Sequence, residues 1–232
     1  MSSATDSANS YSVNGQADMA ILMADLSGYT AMTEIHGPRS AFHTVNLYMQ
    51  LVDKAIYGNS RFLERVGDQV VIVSPNADDL AMTAIRLLEY GSAESNFLPI
   101  HAGLHFGKII EQGGSFYGSA MNITARIAAK AKDGTILCSV EFQEKISPAA
   151  GVNFIVKEKV KLKNLLHPVS LVELLPRGNY SSSGKAIDPV CLMSVEKTTA
   201  FSLMHNKAVY HFCSDKCVRV FQNNPQAILN RE

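Results

Sequence analysis

Apolar positions alternate with polar ones along most of the chain in two periods, and the switches between them predict the elements. Residues Met19–Ala24 form an unbroken apolar run, read as a buried strand. Pro38-Arg39-Ser40 then opens a helix whose apolar positions, Phe42, Val45, Met49, Val52 and Ile56, recur at three- and four-residue spacings until Gly58. Arg61–Val73 reads as a hairpin. Its second arm, Val70–Val73, is four consecutive β-branched residues between Gly67-Asp68 and Pro75. Asp78-Asp79 starts a helix carrying Leu80, Ala84, Leu87 and Leu88, and Ile100–Phe106 predicts a strand with Lys108–Ile110 pairing beyond Gly107.

A Gly113–Ser115 loop precedes a helix over about Ser119–Lys132. A strand at Thr135–Ser139 and a short helix at Val140–Ile146 follow, then late strands at Asn153–Lys157, Val160–Leu162 and Val169–Leu174. Helices alternating with strands and hairpins imply an α+β sandwich with the helices on one face of the sheet. Residues 1–17, rich in Ser, Asn, Ala and Gly, predict a disordered tail. Pro176–Ala186 is a flexible linker by composition, and a second small unit spans 187–230.

Composition narrows the possibilities. Lysine plus arginine and aspartate plus glutamate stand at 21 each, so no affinity for nucleic acid is expected. No apolar run is long enough to cross a bilayer and the N-terminus lacks a signal-peptide core, so a cytoplasmic protein without membrane contact is expected. Four cysteines are too few for a secreted disulfide framework, yet three crowd the C-terminal unit.

The candidate chemistry starts at two strand ends. The first strand runs into Asp25 and the hairpin turn holds Asp68, and two carboxylates at one sheet edge are suited to Mg²⁺ and phosphate chemistry. ADLSGYT, VGD 43 residues after Asp25, HAGLHFG, FYGSAMNITARI and VKLKN, in that order over 18–175, resemble the catalytic domain of class III adenylate and guanylate cyclases. The resemblance implies a ferredoxin-like nucleotidyl cyclase sandwich with an antiparallel-rich sheet. It implies a lyase of intracellular signal transduction, turning GTP or ATP into the 3′,5′-cyclic monophosphate and pyrophosphate.

Residue by residue, it implies two Mg²⁺ or Mn²⁺ ions on Asp25 and Asp68, a ribose-positioning Asn122, a transition-state Arg126 and a phosphate-binding Lys163. Glu64 and Ser115 fall at base-reading positions. A glutamate accepts from guanine N1–H and the 2-amino group, so Glu64 leans toward GTP, and Ser115 suits either base. The family's sites are shared across a homodimer, with metals on one subunit and the other contacts on its mate. Two positions depart from the family pattern, His101 for a frequent arginine and Asn164 for a glycine. His101 and His105 are read as structural histidines and Cys138 as core.

DPVCLM, YHFCSDKC and VFQNNPQAIL resemble the YHS domain, a small metal-associated module, with Leu192 in place of its usual glycine. Cys213 and Cys217, four apart at a turn-to-helix junction, can face Cys191, and three thiolates suit Zn, Cu or Fe. A disulfide from Cys191 is the redox alternative. His211 is a candidate fourth ligand, but strand alternation points it to the opposite face. The alternative to an enzyme is a cyclase-like scaffold that binds nucleotide and dimerises a metal-sensing or metal-chaperone module.

Overall fold

A computed structural model describes residues 16–112, 115–163, 165, 167–176 and 184–230. The elements in chain order are β1 (Gln16–Leu26), α1 (Tyr29–His36), α2 (Pro38–Ala55), β2 (Arg61–Val66), β3 (Gln69–Ser74), α3 (Ala77–Ala93), β4 (Ile100–Gln112) and β5 (Ser115–Tyr117). Then come α4 (Ser119–Ala128), β6 (Ile136–Ser139), α5 (Val140–Gln143), β7 (Val152–Val160) and β8 (Val169–Pro176). The C-terminal unit holds β9 (Lys185–Ile187), β10 (Ser194–Glu196), β11 (Phe201–His205), β12 (Ala208–Phe212), α6 (Asp215–Asn223) and α7 (Pro225–Leu229).

The main sheet runs β2-β3-β1-β4-β6-β8-β7, with β5 appended to β4. Only β4 and β6 pair in parallel; every other neighbour is antiparallel. The apolar run of β1 is buried throughout because both of its faces are covered. Ala20, Leu22 and Ala24 join Tyr48, Val52, Leu80 and Leu87 of α2 and α3 in one core. Met19, Ile21 and Met23 join Ala120 and Ala128 of α4 in another. The expectation of helices on one face is thereby corrected. A strand without a polar side needs cover on both sides, and α4 supplies the second.

That second layer lies unusually close. A Cβ placed on Gly103 of β4 would stand 2.2 Å from the Ala128 backbone nitrogen, so only glycine admits α4 at this distance. Other boundaries also move. Gln16 and Ala17, expected in the tail, open β1 by pairing with Ile110 and Ile109, since the long β4 offers ladder partners whatever the side chains. The rest of that tail lies outside the described residues, as do 177–183 of the linker, whose ends Pro176 and Ala186 belong to β8 and β9. Helix α2 is rotated from the expected stripe. Ala41, Thr44, Tyr48, Leu51, Val52 and Ala55 are buried, while Phe42 is 62% exposed.

Helix α1 has no counterpart among the expected elements. Gly28 at φ 82° and Gly37 at φ 83° bracket it, and Pro38 starts α2. The C-terminal unit packs on this region rather than hanging from a linker. Val190, Cys191, Met193, Phe212, Cys217 and Phe221 share the core of α2 and α3. Ser194 exchanges backbone hydrogen bonds with the 96–97 segment, Asn96 N to Ser194 O at 3.0 Å and Ser194 N to Phe97 O at 2.8 Å. Lys185 Nζ donates to the Glu94 carbonyl at 2.8 Å, and Lys216 Nζ donates to the Ile35 carbonyl.

The close approach of α4 to β4 leads to a first prediction. Gly103→Ala should destabilise the chain by about 1–3 kcal/mol, the usual cost of forcing an atom into filled space. Urea denaturation measures this, and an unchanged midpoint would show that the two elements separate without cost.

Candidate functional site

Strand register brings the two predicted carboxylates together. Ala24 pairs with Val70, so Asp25, one residue past Ala24, and Asp68, in the turn two residues before Val70, arrive at the same edge. Gly67, at φ 66°, makes the turn that presents Asp68. The Asp25 carboxylate accepts from the Leu26 N–H at 3.1 Å. Burial, then the adjoining Asp25 carboxyl, pushes the Asp68 carboxyl up to about 6. Beneath them lies Tyr48, fully buried, with a hydroxyl that has no hydrogen-bond partner among the described residues. Burial, reinforced by Asp25 and Asp68, raises its pKa well above the ordinary phenol value.

His101 flanks the pair. It sits opposite Asp25 in the β1–β4 register, and its Nδ1 lies 2.9 Å from Ser27 Oγ. Burial lowers its pKa, against the pull of Asp133 and Asp68. His105 is buried, with Nδ1 2.7 Å from Ser139 Oγ, and holds β4 to β6. Cys138 is buried, and its thiol lies 3.6 Å from the Val172 carbonyl.

The remaining predicted residues stand on other elements of the fold. Asn122 and Arg126 are both exposed on α4, one helical turn apart. Lys163 is exposed between β7 and β8, beside Asn164, which lies outside the described residues. Glu64 is exposed on β2, opposite Val71, and Ser115 is exposed at the start of β5. Among the described residues none of these five hydrogen-bonds or ion-pairs with Asp25 or Asp68.

A second cluster joins the two parts of the chain. Cys213 Sγ lies 3.4 Å from Cys191 Sγ and 3.6 Å from Cys217 Sγ, and all the cysteines are free. The fourth member is His36, the last residue of α1, whose Nε2 lies 3.4 Å from Cys213 Sγ and 3.5 Å from Cys217 Sγ. The four donor atoms fall within 4.8 Å of one another. His211 stays outside, its Nδ1 buried without a hydrogen-bond partner among the described residues. The three-cysteine expectation therefore gains a member from a distant segment. No cysteine motif adjoins His36, so its only sequence signal is a histidine just before Gly37-Pro38.

Asp188 holds the cluster's frame. Fully buried, its Oδ1 accepts from the N–H groups of Val190 at 2.8 Å and Cys191 at 3.4 Å, and its Oδ2 from that of Cys213 at 2.8 Å. Leu192 adopts φ 64°, a left-handed conformation that costs a non-glycine residue roughly 1–2 kcal/mol. Its side chain lies against Gly28, where an added Cβ would stand 2.6 Å from Leu192 Cβ. The replaced glycine thus becomes a contact with the turn that follows Asp25.

The raised Asp68 carboxyl has a consequence for stability. A carboxyl whose folded pKa exceeds its unfolded value stabilises the fold below about pH 4, and that contribution is lost as pH rises through about 6. In metal-free protein, raising the pH from about 4 to about 7 should cost wild type more stability than Asp68→Asn, and Mg²⁺ should narrow the gap. Denaturant midpoints at the two pH values test this, and parallel profiles for the two proteins would refute it.

No protein-family model matches the chain. A pH-sensitive adenylate cyclase of Mycobacterium tuberculosis is 25% identical over 135 residues, which are 58% of this chain and 34% of that protein. An uncharacterised protein of the same species is 28% identical over 122 residues, 52% of this chain and 32% of its own. This chain therefore spans about a third of these curated relatives. Among solved structures, a guanylate cyclase domain from Catenaria anguillulae in complex with GTP superposes at a TM-score of 0.64 and 15% identity, covering 71% of this chain and all of that one. The adenylyl cyclase CyaB from P. aeruginosa gives 0.61 at 17% identity, covering 73% and 98%. Over about seven-tenths of its length, the chain has the fold of adenylate and guanylate cyclase catalytic domains.

Proposed function

We propose that this chain is a class III nucleotidyl cyclase that turns GTP or ATP into the 3′,5′-cyclic monophosphate and pyrophosphate. The observation that carries the reading is the Asp25–Asp68 pair. Two carboxylates set side by side, with burial and mutual repulsion raising one of them and an unpartnered phenol beneath, form a site short of positive charge. Carboxylates are hard oxygen donors, which suit Mg²⁺ or Mn²⁺ better than a thiophilic metal. When bound, two such ions supply activation of the ribose 3′-hydroxyl and neutralisation of the triphosphate.

The chain's own side chains do the rest. Asn122 orients the ribose, Arg126 on the same face of α4 offsets charge developing on the α-phosphate, and Lys163 holds the triphosphate. Glu64 accepts from guanine N1–H and the 2-amino group, which favours GTP. Arg126 and Lys163 have no ion-pair partner among the described residues, so each is open to an anion from outside the chain. The reading is completed by a two-fold homodimer in which each site draws on both copies, as the resemblance to class III cyclases implies. The C-terminal unit is read as a YHS module that binds metal through Cys191, Cys213 and Cys217.

Incubation with GTP or ATP and Mn²⁺, with products identified by mass spectrometry, tests the activity directly. Loss of turnover in Asp68→Asn with an intact fold is expected, and near-normal turnover would overturn the two-metal assignment. Glu64→Lys should shift preference from GTP toward ATP; a wild type that already prefers ATP strongly would overturn the role of Glu64. Subunit sharing has its own test. Asp68→Ala and Arg126→Ala should each be inactive, yet random mixing should restore about a quarter of wild-type activity, because half the dimers are mixed and each has one intact site. Inactive, verified heterodimers would exclude a shared site.

A further inference from the structure

The cluster of His36, Cys191, Cys213 and Cys217 has the dimensions of a metal tetrahedron. Around Zn²⁺, bonds of about 2.3 Å to sulfur and 2.0–2.1 Å to nitrogen give S···S edges of about 3.8 Å and S···N edges of about 3.5 Å. Four of the six edges in the structure are S···S separations of 3.4 and 3.6 Å and S···N separations of 3.4 and 3.5 Å, and all four donor atoms lie within 4.8 Å of one another. A disulfide, with sulfurs about 2.05 Å apart, would need one cysteine pair drawn out of the set. Cys213 Sγ instead lies at nearly equal distances from the sulfurs of Cys191 and Cys217. The donors come from three separate places in the chain, and each is held from behind. Asp188 fixes the backbone of Cys191 and Cys213. Ser214 Oγ, capping α6, accepts from Cys217 N–H at 3.4 Å. Lys216 bonds the Ile35 carbonyl next to His36.

We propose that these four residues form one closed Cys3His site for a thiophilic divalent cation of the Zn²⁺ class, with the C-terminal unit supplying three ligands and the cyclase-fold unit the fourth. Three thiolates and an imidazole are a donor set that Zn²⁺ occupies as a structural centre, leaving no position open for substrate. The ion then joins two units rather than serving one. His36 ends the helix that leaves the Asp25 strand, and Leu192, the residue after the ligand Cys191, lies on Gly28 at the helix's other end. Occupancy therefore holds α1 at both ends against the C-terminal unit. Any effect on turnover rests on the cyclase reading above; the site itself does not.

The test uses the full chain, reduced and stripped of metal, titrated with Zn²⁺ and separately with Co²⁺. One equivalent should bind, and Co²⁺ should give sulfur charge-transfer bands with the visible bands of a tetrahedral site. His36→Ala should weaken Zn²⁺ binding at least about tenfold and alter the visible bands while keeping the charge transfer. His36→Gln, which keeps bulk and polarity, runs alongside to separate ligand loss from lost packing. Amide exchange over residues 26–37 should slow on Zn²⁺ addition in wild type and not in either variant.

Wild-type binding no tighter than that of the triple cysteine-to-serine variant would overturn the site. Equal affinity and equal Co²⁺ spectra for wild type and both His36 variants would remove His36 from it. Exchange over residues 26–37 that ignores Zn²⁺ in wild type would do the same. Because each readout is independent of nucleotide turnover, an inactive chain that passes these tests refutes the proposed activity alone, and an active chain that fails them refutes this site alone.

Discussion

Everything in the molecule hangs on the double pairing of β1. Flanked by β3 and β4, this strand spends both of its backbone edges on antiparallel ladders and both of its faces on apolar cover. A one-residue slip against β3 would exchange the Ala20–Leu22–Ala24 set with the Met19–Ile21–Met23 set, and the small and large residues would meet the wrong layers. The same register sets where Asp25 stops relative to Asp68. The packing that fixes the sheet therefore also fixes the separation of two like charges, and the fold's stability is what holds them together against their repulsion.

The two faces carry different duties. On one, Gly103 lets α4 settle close to the sheet, which fixes where Asn122 and Arg126 stand on the outer surface. On the other, α2 and α3 form the larger core, and the C-terminal unit extends it. Leu192 shows how that extension constrains the chain. A residue held in a left-handed conformation against its preference is balanced by packing on Gly28.

How much of this was legible beforehand follows from how far each interaction reaches. Strands β1 and β3 could be read because a continuous run of β-branched or apolar residues has few other uses. The placement of Asp25 and Asp68 at strand ends was legible because turn chemistry and strand ends are local. Helix α1 was not. Its Leu-Ser-Gly-Tyr-Thr start has no side-chain cap, and two glycines confine it to eight residues. His36 was invisible for the same reason, and because a partner set by tertiary packing leaves no spacing in the sequence. The buried face of α2 was missed by a fraction of a turn. Several stripes on that helix are apolar enough, and its neighbours rather than its periodicity select among them.

The separation between His36 and its partners bears on how the chain is made. His36 and Cys217 lie 181 positions apart, so the helix beyond Asp25 emerges from the ribosome long before the residues that lie against it. Until Cys217 is synthesised, Gly28, the end of α1 and the part of the α2–α3 core that meets the C-terminal unit lack their cover. A nascent chain interrupted before Cys191 would display that surface to chaperones, so synthesis of the unit that carries the three thiols is itself the event that seals the larger core.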